Sequence, residues 1–257
     1  MNKESNLHVF IGYDEKQDLA WEVCAESLRS QASKPVSIWK LDHRLLRSLD
    51  LFKRTWEIEG NTGRYKDVAD GKPFSTQFAH SRFLVPEMCK HLGVASDDVA
   101  IFVDSDFVFL SDPYEIITEI RAKEEKCVWV VKHDYTPKTA TKMDSQVQIA
   151  YSMKLWSSLM VFDLRFNTGL TKEIVNEKSG RWLHTFEWTN GPHEIGALDE
   201  RWNFIPDHSE ENANVHNIGA IHWTEGLPCI PGYEYCRYAA TWRDVERRVL
   251  EKKLRGS

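Results

Sequence analysis

The sequence has no apolar run approaching the roughly 18 to 20 residues that a membrane-crossing helix needs, so a transmembrane role is excluded. Its start, Met1 to Leu7, is polar and too short for a secretory signal, and the expected location is the cytoplasm. Basic residues are scattered, no Lys/Arg stripe alternates with aromatics, and the net charge is -6, which argues against nucleic acid as a partner. A diphosphate ligand stays compatible with that charge, because a bound cation supplies positive charge locally. Cysteine is sparse and irregular: Cys24, Cys89, Cys127, Cys229 and Cys236 are odd in number and form no C-x-x-C, which excludes a disulfide framework and a zinc ribbon and leaves free thiols. Internal repeats and low-complexity linkers are also absent, so one domain over residues 1–257 is the simplest partition.

What is present suits a globular enzyme. Hydrophobic residues make up 42% and charged residues 28%, and a chain of 257 residues buries a substantial core unaided. Ten tryptophans exceed the needs of such a core, and flat aromatic faces suit sugar rings.

Periodicity sketches an α/β fold. His8 to Tyr13 reads as a buried strand ending at a glycine turn. Ala20, Val23, Cys24, Ser27 and Leu28 share one helical face, and Val36 to Trp39 predicts a second strand after Pro35. Strand, helix, strand in that order favours parallel pairing. The polar stretch 50–73 reads as a long loop over a site. Ser75 opens a predicted helix that carries Phe78, Phe83, Leu84 and Met88 inward and that Pro86 ends or kinks. Val99 to Val103 is apolar throughout, hence a central strand, and Phe107 to Leu110 continues extended into a helix opened by Asp112-Pro113. Further strands are predicted at Cys127 to Lys132, Ser158 to Phe162 and Ile218 to Trp223, with polar loops or a hairpin over Tyr135 to Tyr151. Thr171 to Leu183 reads as one helix, and Trp242, Val245, Val249, Leu250 and Leu254 form a final helical stripe.

The chemistry concentrates where the central strand ends. In extended chain residues i and i+2 point to the same side, so Asp104 and Asp106 aim two carboxylates together at the carboxyl end of a buried strand. Mutual repulsion there calls for a compensating charge, and a divalent cation supplies it. That end of an open α/β sheet is also where ligands bind. The competing reading of the pair is two solvated turn residues, and an isolated Asp-x-Asp is a weak signal; five preceding apolar residues strengthen it.

Four segments in order give the chain a family likeness: Val9-Phe10-Ile11-Gly12-Tyr13-Asp14, Phe78-Ala79-His80-Ser81-Arg82-Phe83, Asp104-Ser105-Asp106 after its apolar strand, and His222-Trp223-Thr224-Glu225-Gly226. They resemble GT-A glycosyltransferases, and among them the glycosyltransferase family eight group. The resemblance implies an α/β, Rossmann-like GT-A fold: a mixed, mostly parallel central sheet flanked by helices, with a nucleotide-binding half over roughly 1–112 and an acceptor-side half over roughly 113–257. It implies transfer of a sugar from a nucleoside-diphosphate donor, a UDP-hexose above all, to the hydroxyl of a glycan or other acceptor, with retention of configuration.

Carried over position by position, the resemblance makes Asp104, Asp106 and His222 ligands of Mn2+ or Mg2+, bridged to the donor diphosphate. Asp104 and Asp106 are then also catalytic, and Ser105 lies between them at the donor. Ile11, Tyr13 and Asp14 match the loop that grips the nucleoside: the Tyr ring on the base, the Asp accepting from base or ribose. Asp14 ahead of Glu15-Lys16-Gln17 reads equally as a helix cap. Arg82 matches a donor-contacting basic residue, with a surface ion pair as the alternative. Ser157 and Ser158 stand in a small polar motif facing the donor sugar, and Glu194 and Asp199 fall where relatives place acidic or amide residues near sugar and acceptor; a capping role is open for both. The chain departs from the pattern twice. Leu227-Pro228-Cys229 lacks the late Lys, and the usual Asn of the polar motif is absent, so donor geometry and sugar identity stay open.

Two other functions fit less of the chain. Asp104-Ser105-Asp106-Phe107-Val108 satisfies the opening motif of haloacid-dehalogenase-type phosphohydrolases, yet that motif belongs on a first strand, and here a strand-helix-strand unit precedes it. A non-catalytic nucleotide-sugar binding protein of the same shape is the other alternative.

Overall fold

The computed structural model describes residues 6–60, 63–133, 153, 155–166, 168–206, 208–209 and 217–256. The whole segment Tyr135 to Tyr151, expected to form loops or a hairpin, lies outside them.

The chain opens with β1 (Leu7–Gly12), α1 (Asp18–Gln31) and β2 (Ser37–Leu41), the expected parallel unit. A short α2 (His43–Ser48), capped by Asp42, leads into β3 (Trp56–Glu59), β4 (Arg64–Asp67) and β5 (Pro73–Phe74). These three form an antiparallel sheet of their own, where the sequence had suggested only a loop. Polar composition masked it: Trp56, Tyr65 and Phe74 meet on one face with ring centroids 5.4 to 6.0 Å apart, and Arg54 is buried beneath against Asp67.

A 3-10 turn over Ser81–Leu84 then runs into α3 (Val85–Leu92). Pro86 sits in the first turn of α3, where its missing N–H costs nothing, and so opens the helix that it was expected to end. Next come β6 (Val99–Val103), β7 (Phe107–Phe109), α4 (Tyr114–Arg121), β8 (Val128–Val130) and β9 (Leu159–Asp163). The single helix expected over Thr171 to Leu183 is two, α5 (Lys172–Glu177) and α6 (Gly180–His184), because Ser179 leaves helical geometry and caps α6 by accepting from Trp182 N. Then follow β10 (Ile195–Ala197), β11 (Ala220–His222) and α7 (Ala239–Leu254). On α7 Trp242, Val245 and Val249 are buried; Leu250 and Leu254, counted in the same stripe, are exposed.

The main sheet has the order β10-β8-β9-β6-β1-β2, with β9 alone antiparallel to its neighbours. Alternation along the strands separates two cores. Phe10, Ala100, Phe102, Val128, Val130, Met160 and Phe162 pack on one side with Phe78, Phe83 and Met88. Val9, Ile11, Ile101, Val103, Trp129 and Val161 face α1 and α4 on the other. Side chains of this size contribute about 1.5 to 3 kcal/mol each when fully buried. A third cluster seats α7 on α1 and on the two-stranded ribbon β7–β11. The architecture is the expected single α/β domain with a mixed, mostly parallel sheet.

Candidate functional site

The carboxyl ends of the parallel strands make one edge of the sheet, and the chemistry collects there. Asp104 follows β6, and its backbone N–H donates to Ser158 O at 2.9 Å, so the acid segment and the start of β9 are stitched together. Two residues on, β7 turns away to pair antiparallel with β11, and the register sets His222 opposite Phe107. Trp223 N also donates to Asp106 O at 3.1 Å. That ribbon is what carries a histidine from far along the chain to the acid pair: His222 Nε2 stands 3.3 Å from Asp106 Oδ1, and ligand atoms of Asp104, Asp106 and His222 lie within 4.8 Å of one another.

These residues fit a divalent cation. Two carboxylates and an imidazole suit a fairly hard, octahedrally coordinated ion such as Mn2+ or Mg2+, with room in the ligand count for phosphate oxygens. The histidine is held as a metal ligand should be. Its Nδ1 is 2.8 Å from Asn203 Oδ1, and its ring stacks on Phe107 at 4.3 Å between centroids. A second cluster, Asp67, Asp70 and His80, has a comparable spread. There Arg54 bonds both oxygens of Asp67, at 3.0 and 2.6 Å, and also reaches the carbonyls of Val175 and Lys178. A buried guanidinium fills the place of a cation, so that cluster pins the β3–β5 sheet to α5.

Arg82 lies inside the site. Its Nη1 is 3.0 Å from Asp104 Oδ1 and donates to Ser157 O at 2.8 Å, with the guanidinium over the rings of Phe78 and Phe102. Ser157 Oγ is 2.7 Å from Nδ1 of His184, whose imidazole is pushed well below its ordinary range by burial and then by the charge of Arg82. Ser158 Oγ donates to Leu155 O at 2.6 Å. Ser105 points away from its two neighbours, as alternation requires, and donates to Gln17 Oε1 at 3.0 Å.

The expected nucleoside loop is tightly committed. Asp14 is buried and accepts from Lys16 N and Gln77 N, both at 3.0 Å. It is the cap that the sequence allowed, and it also ties β1 to the segment before Arg82. Gly12 makes that approach possible, since a Cβ there would stand 2.5 Å from the Phe78 ring. The Tyr13 ring carries Lys40 Nζ 4.0 Å above it, and its hydroxyl donates to Asp18. Ile11 is a core residue of β1, with its side chain buried against α1, and does not present that side chain to a ligand.

The two acids expected near the sugar and acceptor, Glu194 and Asp199, stand apart from the Asp104–Asp106–His222 cluster. Glu194 precedes β10, which runs parallel to β8, so it sits at the amino-terminal edge of the sheet, opposite Asp104. Its carboxylate accepts from Asn190 Nδ2 and N at 2.8 and 2.9 Å, contacts that hold its pKa below the usual range. Asp199 is exposed and caps a 3-10 turn by accepting from Arg201 N, while its own N–H donates to Glu119. Asp199 takes the capping position that the sequence left open for it, while Glu194 holds the Asn190 turn.

Sequence reading missed Asn203, His133 and His184. Asn203 stands between Trp202 and Phe204, and a polar residue inside an apolar run was the available signal. His133 follows β8 at the same sheet edge; it is pushed down to about 4 by burial and by the neighbouring His222 and His208 imidazoles. Cys24, beneath the site, is an inert thiol: burial raises its pKa well above normal, and the charges of Asp106 and Asp104 add to the effect.

Comparison with known proteins places these features in a family. No protein-family model matches the chain. Among solved structures, an active-site mutant of LgtC superposes with a TM-score of 0.55 at 10% identity, covering 94% of this chain and 95% of that one. The glycosyltransferase GlyE of Streptococcus pneumoniae gives 0.54 at 11% identity over 98% of this chain and 64% of its own length. The bifunctional WbbM gives 0.50 at 13% identity, and the chain spans only 52% of it. These likenesses establish the GT-A fold. In sequence, Protein CDI of Arabidopsis thaliana is 34% identical over 257 residues, which cover 98% of this chain and 91% of that protein. Along nearly its whole length, therefore, the chain belongs to the family of Protein CDI and carries that family's sequence on a GT-A fold.

Proposed function

We propose that this chain is a metal-dependent glycosyltransferase that moves a hexose from a nucleoside diphosphate, UDP above all, to an acceptor hydroxyl. The observation that carries the reading is the convergence of Asp104, Asp106 and His222 within 4.8 Å at the ligand-binding edge of a GT-A sheet. Those three side chains would hold Mn2+ or Mg2+, which when bound supplies Lewis-acid stabilisation of the departing diphosphate. Names of the fold's neighbours, a glycosyltransferase GlyE and a bifunctional glycosyltransferase WbbM, support the same class.

The protein's own groups have separable tasks. Arg82, desolvated between two aromatic rings and already bonded to Asp104, offers its remaining N–H groups to a diphosphate oxygen. The β1–α1 loop, tied by the Asp14–Gln77 bond to the segment that follows β5, and the β3–β5 sheet close the nucleoside end. Ser157, His184 and His133 line the sugar side of the edge. Neither Glu194 nor Asp199 supplies a nucleophile in this arrangement. Retention is then reached with a donor phosphate oxygen taking the acceptor proton on the face that the diphosphate leaves. The residues up to about 112, joined by His222 at the cation, serve the donor, and most of those beyond serve sugar and acceptor.

Screening nucleotide sugars with Mn2+ and following release of nucleoside diphosphate tests the proposal. Turnover is expected with at least one donor and is expected to vanish in a folded Asp106→Ala variant. Full activity of that variant overturns the metal role. Tight donor binding with no transfer to any acceptor makes the chain a binding protein instead.

A further inference from the structure

The side chain with the most exacting surroundings at the site is Asn203, which no motif marks. It is fully buried on the 3-10 turn Glu200–Asn203, where its side chain meets Ser158, His222 and the His133 imidazole, the last of which also donates towards the amide oxygen. Its Nδ2 donates to Ser158 Oγ at 2.9 Å, and its Oδ1 lies 2.8 Å from His222 Nδ1.

Proton accounting settles which way this amide faces. Leu155 is held at φ +69, a left-handed conformation that a leucine adopts only under constraint, and its carbonyl turns onto the start of β9. That carbonyl has no hydrogen to give, and it meets Ser158 N at 3.1 Å and Ser158 Oγ at 2.6 Å. The single hydroxyl hydrogen of Ser158 must therefore point to Leu155, because two bare oxygens at that distance repel. Ser158 Oγ can then only accept from Asn203, so Nδ2 faces the serine and Oδ1 faces the histidine. An oxygen acceptor at that position requires His222 to carry hydrogen on Nδ1. The neutral ring then turns the lone pair of Nε2 towards Asp106 Oδ1, 3.3 Å away. A lone pair facing a carboxylate is relieved by a positive charge between them, a metal ion or, in its place, a proton on Nε2.

We infer that Asn203 is a positioning residue that fixes the metal-binding tautomer of His222, with its own orientation set by a hydrogen-bond relay from the Leu155 carbonyl through Ser158. Because Asp104 N also bonds Ser158 O, one serine aligns the imidazole ligand and the carboxylate strand together. The inference rests on the proposal that Asp104, Asp106 and His222 hold a divalent cation.

Two measurements on the full chain test it, and only one of them requires metal. In metal-free protein held at a pH where the ring is neutral, nitrogen-detected NMR of the His222 ring is expected to show the tautomer protonated at Nδ1. A neutral ring protonated at Nε2 overturns the inference whatever the metal does. Mn2+ binding, followed by loss of the free-ion electron paramagnetic resonance signal, is expected to weaken roughly 10- to 100-fold in Asn203→Leu. A folded Asn203→Leu variant with unchanged affinity also overturns the inference. If Asn203→Leu does not fold, Ser158→Ala decides: the freed amide can flip, the Nε2-protonated tautomer gains population, and an NMR spectrum identical to wild type refutes the relay. Wild-type protein that binds no Mn2+ refutes the cation reading itself, and the tautomer measurement then stands alone.

Discussion

Arg82 Nη1 stands 3.0 Å from Asp104 Oδ1, a fixed positive charge placed against one of the two carboxylates proposed to hold a cation. The guanidinium partly balances the acid pair, and it competes electrostatically with a metal ion arriving alone. A metal that comes with a diphosphate meets no such conflict, because the phosphate oxygens then satisfy Arg82. Cation binding and donor binding should accordingly be cooperative.

Replacing Arg82 by Met is thus expected to act in opposite directions on two affinities. Mn2+ alone should bind several-fold tighter, while nucleoside diphosphate in the presence of Mn2+ should bind roughly 10- to 100-fold more weakly, the equivalent of losing one or two charge-assisted hydrogen bonds worth about 1.5 to 3 kcal/mol. Calorimetric titration of each ligand checks both signs. Equal weakening of both would show that Arg82 only supports the fold.

Thermal midpoints should report the same cooperativity in the wild-type chain. Donor with Mn2+ together is expected to raise the midpoint by more than the sum of the separate shifts. His222→Ala should abolish that excess and leave a residual shift from donor alone. Strictly additive shifts in the wild type would remove the case for a shared site.

The β3–β5 sheet should depend on a single buried ion pair. Arg54 and Asp67 are both essentially inaccessible, and Arg54 also satisfies carbonyls of α5 and of the residue after it. Asp67→Ala leaves a guanidinium buried beside Asp70 alone, and a loss of about 3 to 5 kcal/mol in chemical denaturation is expected. A change below about 1 kcal/mol would mean that water reaches the pair.

Acid should destabilise the protein well before its carboxylates are all protonated. His80 is pushed down to about 3, by burial and then by Arg54, and His133 to about 4. Both values lie below the ordinary histidine value near 6.5, so between that pH and about 4 the unfolded chain binds protons that the folded one refuses. Stability from these groups is complete above about pH 6.5 and declines as pH drops through the window. Melting temperatures between pH 7 and pH 4.5 should fall by several degrees, and the slope should flatten in His80→Asn or His133→Gln. An unchanged slope in both variants counts against this assignment.

The main elements were legible in the sequence because their signals are local. Five apolar residues before Asp104-Ser105-Asp106 specify a strand buried on both faces, and the face shared by Ala20, Val23, Cys24, Ser27 and Leu28 specifies the helix beside it. The same local rule sent Ser105 away from the acids. Reading failed where one residue type serves two ends. Pro86 opens a helix as readily as it closes one, Ser179 interrupts a periodicity that continues on both sides of it, and a sheet built on three aromatics hid in a polar segment.

By itself, then, the sequence determined the strand-helix order, the burial pattern and the presence of an acid pair at a strand's carboxyl end, since each depends on neighbours within a few residues. Only the tertiary structure decided which distant groups complete the site. The β7–β11 register carries His222 to Asp106, parallel pairing places Glu194 at the opposite edge, and Asn203 meets His222 across chain separations that no periodicity encodes. Hydrogen-bond donors and carboxylates act over a few ångströms of space, and distance along the backbone does not record that proximity.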